Sequence, residues 1–400
     1  MQETVSPFAL FSPQAAQDPY PIYKALREQS PLELQGAPGG GKTWALLKHD
    51  QVYNTLRDHE TFSSAGGMGN SSGAERAAGG FNMVLINDDP PRHTRFRRIV
   101  NKTFTPRRIE EVKPLIASIA DELLDGVESG ERDIVDSYTI PLPVRIIASL
   151  LGIPGEDYRT FKAWSDALVG ATPGAMGMGG ARGGISEMVE YFGKIAAERR
   201  TEAGSDLVSL LVQPDGEGES LEEWEVMGFC VLLLVAGNET TTNLMGNMFN
   251  GLAQRPELWA RLREDRSLVP TVVEETLRWQ SPVQFIMRQA TRDTEIDGQV
   301  IRAGDRVLPY FAAANHDPEA FAEPEEFRLD RDLHNHVAFG MGIHYCLGAP
   351  LARAEAQVSL NAFLDRFERI EPGNVAGTRL GGIPLIYGFR SLPLVLGRSG

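Results

Sequence analysis

The stretch FGMGIHYCLGAPLARAE, residues 339–355, gathers reactive chemistry around one thiol. Cys346 is hemmed by Gly340, Gly342 and Gly348, residues that allow tight turns and let backbone approach something bulky. Pro350 helps to start a helix just beyond it, and the positive end of a helix lowers a thiol pKa and favours thiolate, the form that ligates metal. The other cysteine, Cys230, lies in an apolar run and reads as a small buried hydrophobe. With no C-x-x-C pair, neither a zinc nor an iron–sulfur site can be assembled from one sulfur. A single thiolate does suffice as the axial ligand of haem iron, where it pushes electron density that favours O–O cleavage.

Two further stretches raise chemical questions. In AGNETTTN, residues 236–243, an apolar run from 229 to 236 that implies a helix buried on all sides gives way to Gly237 and a series of polar residues. That mixture is poor in helix propensity and costly to bury without partners, so it marks either a working site or a polar break filled by buried water. GAPGGGKT, residues 36–43, fits the phosphate-binding pattern G-x-x-x-x-G-K-[ST]. That pattern works only when the glycines feed a long helix whose N-terminal amides hold the phosphates. Here Trp44 to Leu47 reads as a short strand and the next helix starts at Asp50 as its N-cap, so the glycines are expected to form a hairpin turn between strands 32–35 and 44–47.

The elements that must position these residues are mainly helical. Apolar residues three and four apart predict helices over 20–29, 108–127, 141–151, 185–200, 221–253, 256–263, 269–280 and 351–367. Short strands are expected over 32–35, 44–47, 295–296, 300–301, 306–310 and 392–396, a minor β portion. Ser220-Leu221-Glu222-Glu223 reads as the capping box of the long helix. The tracts 63–80 and 170–184 are too rich in glycine to pack as regular elements and are either idle surface loops or covers over a site. No linker divides the 400 residues, which favours one extended domain. With 39 Lys and Arg against 54 Asp and Glu, the formal charge of −15 disfavours nucleic acid and anionic membranes. The start lacks a basic or apolar leader, and the longest apolar run falls far short of the ~20 residues of a membrane span, so a cytoplasmic protein is expected.

The loop from Phe339 to Gly348 resembles the haem-ligand loop of the cytochrome P450 family, F-x-x-G-x-[HR]-x-C-x-G, at every fixed position. The resemblance implies haem b (iron protoporphyrin IX) with Cys346 as proximal ligand, His344 bonding a propionate, Phe339 packed beside the sulfur and Gly348 lining the loop. The family's central helix bears A-G-x-[DE]-T-[TS], matched by Ala236, Gly237, Glu239, Thr240 and Thr241. By that match Gly237 lets the oxygen ligand approach, Thr240 hydrogen-bonds dioxygen and Glu239 relays protons. His93 and Arg97 in DPPRHTRFRR match the H-x-x-x-R that grips propionates, and Arg288 matches a third propionate partner. In VVEETLRWQSP the spacing allows Arg278 to pair with Glu275 or with Glu274; the resemblance selects Glu275 and Arg278 as a structural E-x-x-R pair.

By family position the substrate pocket would be walled by Met83, Val84, Leu85, Val235, Ala236, Val283, Phe285, Leu385 and Ile386, although plain core packing serves each of them equally well. Met68, Met176 and Met178 would add adaptable apolar contacts. The resemblance runs from residue 18 to 394. It implies a single triangular-prism domain over 1–400, with haem between the long central helix and the cysteine-ligand helix, no fused reductase, and a monomer. Electrons would come from NAD(P)H through a reductase and a ferredoxin-type protein, for which the basic segment Arg92, Arg95, Arg98, Lys102, Arg107 and Arg108 is the expected docking surface. The implied reaction is hydroxylation of a hydrophobic small molecule (terpenoid, steroid, fatty acid or aromatic). A peroxide-driven or rearranging haem-thiolate enzyme and a non-enzymatic haem carrier or sensor are the alternatives.

Overall fold

The computed structural model describes residues 5–34, 41–65, 84–125, 127, 129–154, 157, 160–161, 163–164, 182–204, 206–214, 218–382 and 385–398. Residues 36–40 of the glycine stretch, Met68, Met83, Met176 and Met178 lie outside this set.

The main helices are α1 (Tyr20–Leu26), α2 (His49–Arg57), α3 (Arg92–Val100), α4 (Pro106–Asp125), α5 (Pro141–Leu150), α6 (Arg182–Thr201), α7 (Leu207–Val212), α8 (Glu223–Leu232), α9 (Asn238–Ala253), α10 (Pro256–Glu264), α11 (Val269–Trp279) and α12 (Ala349–Arg366). Strands are short: β1 (Leu32–Glu33), β2 (Thr43–Leu46), β3 (Phe62–Ser63), β4 (Gly130–Asp133), β5 (Arg288–Ala290), β6 (Thr294–Ile296), β7 (Gln299–Ile301), β8 (Arg306–Pro309), β9 (Arg369–Pro372), β10 (Thr378–Arg379), β11 (Phe389–Ser391) and β12 (Pro393–Gly397). The largest sheet has five strands in the order β1-β2-β8-β5-β3. Antiparallel pairing of β1 with β2 bears out the expected hairpin, and β2 then runs parallel to β8. Alternation along β2 buries both faces of this sheet: Ala45 and Leu47 pack with Tyr23, Leu308 and Tyr310, while Trp44 and Leu46 pack with Val52, Phe62 and Val307. Lys42 pairs with Glu33 at 2.6 Å and lies over the Trp44 ring, so it is a hairpin residue.

The largest core is helical. Along α4, Ile109, Ile116, Ile119 and Leu124 are buried, and α12 packs on that helix with Leu360, Phe363 and Leu364 turned inward. The long helix expected over 221–253 is interrupted. It consists of α8, one π-helical turn (Leu233–Gly237) and α9, so the polar break in AGNETTTN coincides with a change of hydrogen-bond register.

Several local expectations are corrected. The capping box lies two residues further on, with Glu222 as N-cap and the Glu225 carboxylate accepting its N–H at 3.0 Å, because Arg95 holds Glu225 there. The cap of α2 is Lys48, and Asp50 sits in the first turn. Arg182 to Gly184 are helical and Ser63 is in β3, so the ends of the two glycine-rich tracts do join regular elements. Helix α7 and strands β3, β4, β5, β9, β10 and β11 were not among the expected elements, most being too short to show a period, while α3 bears out the reading of His93 and Arg97 as four apart on one helix face.

Behind the cysteine loop, α11 carries an ion pair with no exposure on either side chain. Arg278 bonds both Glu275 oxygens at 2.7 Å and donates to the carbonyls of Asn315, Pro324 and Glu326 at 3.0, 2.8 and 2.9 Å. Glu275 also accepts from the Arg328 amide at 2.8 Å and faces Arg331 at 3.2 Å. Replacing Glu275 by alanine strands a buried guanidinium and is expected to cost about 3–5 kcal/mol in denaturant unfolding. Glu325→Ala, which breaks the exposed Lys24–Glu325 pair, serves as the control, with an expected loss below about 1 kcal/mol.

Candidate functional site

The thiol loop is fixed from three sides. Asn315 accepts the Val337 amide at 2.8 Å where the chain enters. Gly342 has φ +70°, and a Cβ there would stand 2.7 Å from the Leu56 carbonyl oxygen at the end of α2, so only glycine fits. Cys346 N–H donates to the Phe339 carbonyl at 2.9 Å, and the Phe339 ring lies 4.5 Å from the Arg353 guanidinium. Arg353 grips Glu274 at 2.6 and 2.9 Å and donates to the Tyr345 hydroxyl at 3.1 Å. His336 Nδ1 accepts from the Ala338 amide, so Nε2 carries the hydrogen and donates to Glu274 at 2.9 Å. Burial would raise the Glu274 carboxyl, but the bonds from His336 and Arg353 outweigh it and hold the pKa at about 2. Glu274 thus braces the cysteine loop, and Glu275 alone of the two candidates pairs with Arg278.

The expected depression of the Cys346 thiol is not found. Burial pushes it up, ahead of the pull from the Gly348 and Ala349 amides and the Arg97 and Arg353 charges. The helix end acts in the anticipated direction but is outweighed by desolvation.

A cluster of two histidines and two arginines stands near this loop. The rings of His93 and His344 are 4.3 Å apart, and His344 Nε2 shares a hydrogen bond with Ser64 Oγ at 3.0 Å. Burial, then Arg97, lowers His93 to about 4; burial, then Arg288, His93 and Arg97, lowers His344 to about 2. Arg97 donates to the Tyr345 carbonyl at 2.8 Å. Arg288 is buried, pulled down to about 10 by burial, and donates only to the neighbouring Met287 carbonyl at 3.1 Å; among the described residues it has no carboxylate in ion-pair contact. His93 Nε2 is buried without a hydrogen-bond partner. Buried donors that lack acceptors fit a ligand carrying carboxylates, and a lone thiol beside them fits a metal at its centre. Haem propionates and haem iron meet both demands, while Gly348 meets nothing within 4 Å of where a Cβ would be and leaves the loop room.

On the central helix, Ala236 is exposed and Thr240 partly so, although the helix around them is buried. They therefore border open space beside the helix. Thr240 Oγ1 donates to the Ala236 carbonyl at 2.6 Å across the junction of the π turn and α9. Burial alone raises the Glu239 carboxyl to about 7. Asn243 donates to the Glu239 carbonyl at 2.8 Å. At Gly237 the missing side chain makes room for Ile147 of α5, whose Cδ1 lies 2.8 Å from where a Cβ would be.

The expected pocket walls divide. Val283 and Ile386 form an antiparallel bridge and are half-buried, as is Leu385. Phe285 is instead a core residue, between Tyr310 at 4.7 Å and Phe11 at 6.3 Å, and Val84 is fully buried in the main core. Leu85 is buried with φ +70°, its amide held by Asp88 Oδ2 at 2.7 Å. The side chain of Val235 is outside the described residues. The basic segment is largely offset at close range: Arg95 pairs with Glu219 and Glu225, Arg98 with Glu219, Arg107 and Arg108 with Glu111, and Arg92 with Asp88. Sequence reading missed Ser64, Glu274 as a loop brace, Arg353 and Asn243. For Asn243 the signal was present, four residues beyond Glu239 in the quoted motif.

The sequence pattern described as Cytochrome P450 matches residues 184–378. The chain is 37% identical over 385 residues to "Cytochrome P450 109" of Bacillus spizizenii, covering 94% of this chain and 91% of that one. It is 36% identical over 396 residues to the vitamin D(3) 25-hydroxylase of Pseudonocardia autotrophica, covering 97% and 96%. Among solved structures, CYP109E1 of Bacillus megaterium in complex with corticosterone superposes with a TM-score of 0.84 at 35% identity, covering 96% of this chain and 99% of that one. The mainly helical fold with minor sheets is the one these structures share. Among the described residues no helix is long and apolar enough to cross a membrane.

A carboxyl raised from 4.5 to about 7 has a definite linkage sign. As pH rises through this window the unfolded chain releases the Glu239 proton while the folded chain keeps it, so this group's contribution to stability falls with rising pH. Glu239→Gln is expected to flatten that decline. Urea unfolding of wild type and variant at about pH 5 and about pH 8 measures it, with the variant gaining relative stability at the higher pH.

Proposed function

The chain belongs to the cytochrome P450 family, and on the premise that it is a haem-dependent monooxygenase we propose that it hydroxylates an apolar molecule of steroid or terpenoid size. The observation that carries the reading is Glu239, a carboxyl held near neutrality by burial, next to a threonine that borders that open space. Haem iron bound through Cys346 supplies reductive cleavage of dioxygen and transfer of one oxygen atom into a C–H bond.

His93, Arg97, Arg288 and His344 would hold the propionates, with Arg97 and Arg288 supplying countercharge and the two neutral imidazoles hydrogen bonds. Glu274 and Arg353 keep the loop of Cys346 still. With a pKa of about 7, Glu239 can take a proton from water and pass it on without a large energetic step in either direction. Thr240 Oγ1, anchored on the Ala236 carbonyl, offers its lone pairs to a donor on the cavity side and fixes where that donor sits. Ala236, Val283, Leu385 and Ile386 present an apolar wall that holds the carbon to be oxidised and excludes water.

The substrate class rests on chemistry and kinship together: the bordering side chains are apolar, one relative is named for hydroxylating vitamin D(3), and one similar structure holds corticosterone. We read residues 1–400 as one cytoplasmic, monomeric haem domain that receives electrons from NAD(P)H through a separate reductase and a ferredoxin-type protein.

Purified protein, reduced and exposed to carbon monoxide, is expected to show the red-shifted absorption of thiolate-bound haem, and Cys346→Ala to lose it. With reductase, ferredoxin and a steroid that shifts the haem spin state, wild type is expected to hydroxylate the steroid. Thr240→Ala should keep consuming NAD(P)H while product per NAD(P)H falls about tenfold. Full coupling in Thr240→Ala would return the reading to a peroxide-driven enzyme; no turnover with any electron donor would return it to a haem carrier.

A further inference from the structure

The segment from Leu385 to Phe389 crosses the central helix as a strap, and its fit depends on an absent side chain. A Cβ on Gly388 would fall 1.8 Å from Asn243 Oδ1, 2.2 Å from its Cγ and 2.6 Å from its Cβ. Asn243 cannot swing aside: it is 2% exposed and its amide is bonded to the Glu239 carbonyl at 2.8 Å. The strap is also held on either side. Tyr387 N–H donates to the Pro282 carbonyl at 2.8 Å, the Tyr387 carbonyl accepts from Asn247 at 3.1 Å, and the Leu380 amide donates to the Gly388 carbonyl at 3.1 Å.

Phe389 lies against Gly246, Gly388 against Asn243 and the Tyr387 carbonyl on the Asn247 amide, so the strap is pinned along residues 243–247 of α9. The next residues, Ile386 and Leu385, bridge to Val283 and accept from the Gln284 amide. The same asparagine therefore touches both parts of the site. Its amide fixes the carbonyl of Glu239, and its oxygen sets how near the strap can come.

We propose that Asn243 and Gly388 form a matched spacer that fixes the height of the Leu385–Ile386 wall above the central helix, and so the size of substrate the site admits. This rests on the reading of that wall as part of the substrate pocket. Asn243 is a positioning residue in this scheme and Gly388 a specificity-determining one; neither touches the reacting atoms. A side chain at 388 lifts the strap by more than an ångström and enlarges the space, whereas shortening residue 243 lets the strap settle and narrows it.

Haem-loaded protein titrated with imidazole and with 4-phenylimidazole, read by the shift of the haem absorption band, tests the idea without any turnover. The quantity compared is the ratio of the two dissociation constants. Gly388→Ala is expected to shift that ratio by about fivefold in favour of the larger ligand, and Asn243→Ala to shift it the opposite way. Adding Asn243→Gly to Gly388→Ala, which returns the space, is expected to bring the ratio back toward wild type. If Gly388→Ala does not fold, the direction of the Asn243→Ala shift decides. Ratios within twofold of wild type in the folded variants, even with lowered melting temperatures, would overturn the spacer and leave ordinary packing. A wild-type protein that gives no spectral shift with either imidazole would instead refute the haem reading beneath it.

Discussion

A guanidinium and a carboxylate with no access to water, Arg278 and Glu275, are the constraint on which the thiol side of the molecule depends. A buried pair is stable only if its remaining hydrogen-bonding capacity is met, and here it is met by carbonyls at Asn315, Pro324 and Glu326 and by the Arg328 amide. Those bonds compel the irregular chain from 315 to 331 to lie against α11. Asn315 then receives Val337, and the cysteine loop begins two residues later. Regular secondary structure is sparse along this route, so side-chain bonds to backbone do the work that a ladder does elsewhere.

The second requirement is electrostatic. His93, His344, Arg97 and Arg288 crowd together with too few acceptors, and burial first, then the neighbouring arginine charges, drives the two imidazoles toward neutrality. An anionic guest relieves that repulsion, so the polypeptide is complementary to a ligand it must acquire. The sulfur follows the same logic: burial opposes its ionisation, and coordination to a metal supplies what the helix end and two arginines do not.

Much of this was legible in the residue pattern, and the reasons for the gaps are physical. The cysteine loop was readable because each fixed residue answers a local demand, such as the left-handed turn at Gly342 against α2. The phosphate-loop motif was rightly set aside because its flanks are strands, and the strands pair as expected. The choice between Glu274 and Glu275 was not decidable from spacing, since both reach Arg278 along one helix; packing of α12 settles it by bringing Arg353 to Glu274. The thiol's ionisation was misjudged because a helix end is visible in sequence and desolvation is not. The capping box slipped by two residues because Ser220 competes with Glu222 for the same role, and Arg95, far away in the chain, decides between them. Phe285 and Val84 likewise go to the core, where an apolar residue is at home whether or not a cavity lies nearby.

The threonine at the helix junction holds a last consequence. A hydroxyl has a single hydrogen, and that of Thr240 already points along the helix to the Ala236 oxygen. Toward the open side it is therefore an acceptor only. To become a donor there its hydrogen would have to turn about the Cβ–Oγ1 bond and abandon the Ala236 oxygen, taking one hydrogen bond from the widened turn. That bond and a donor's polarity toward a guest are thus mutually exclusive settings of one torsion.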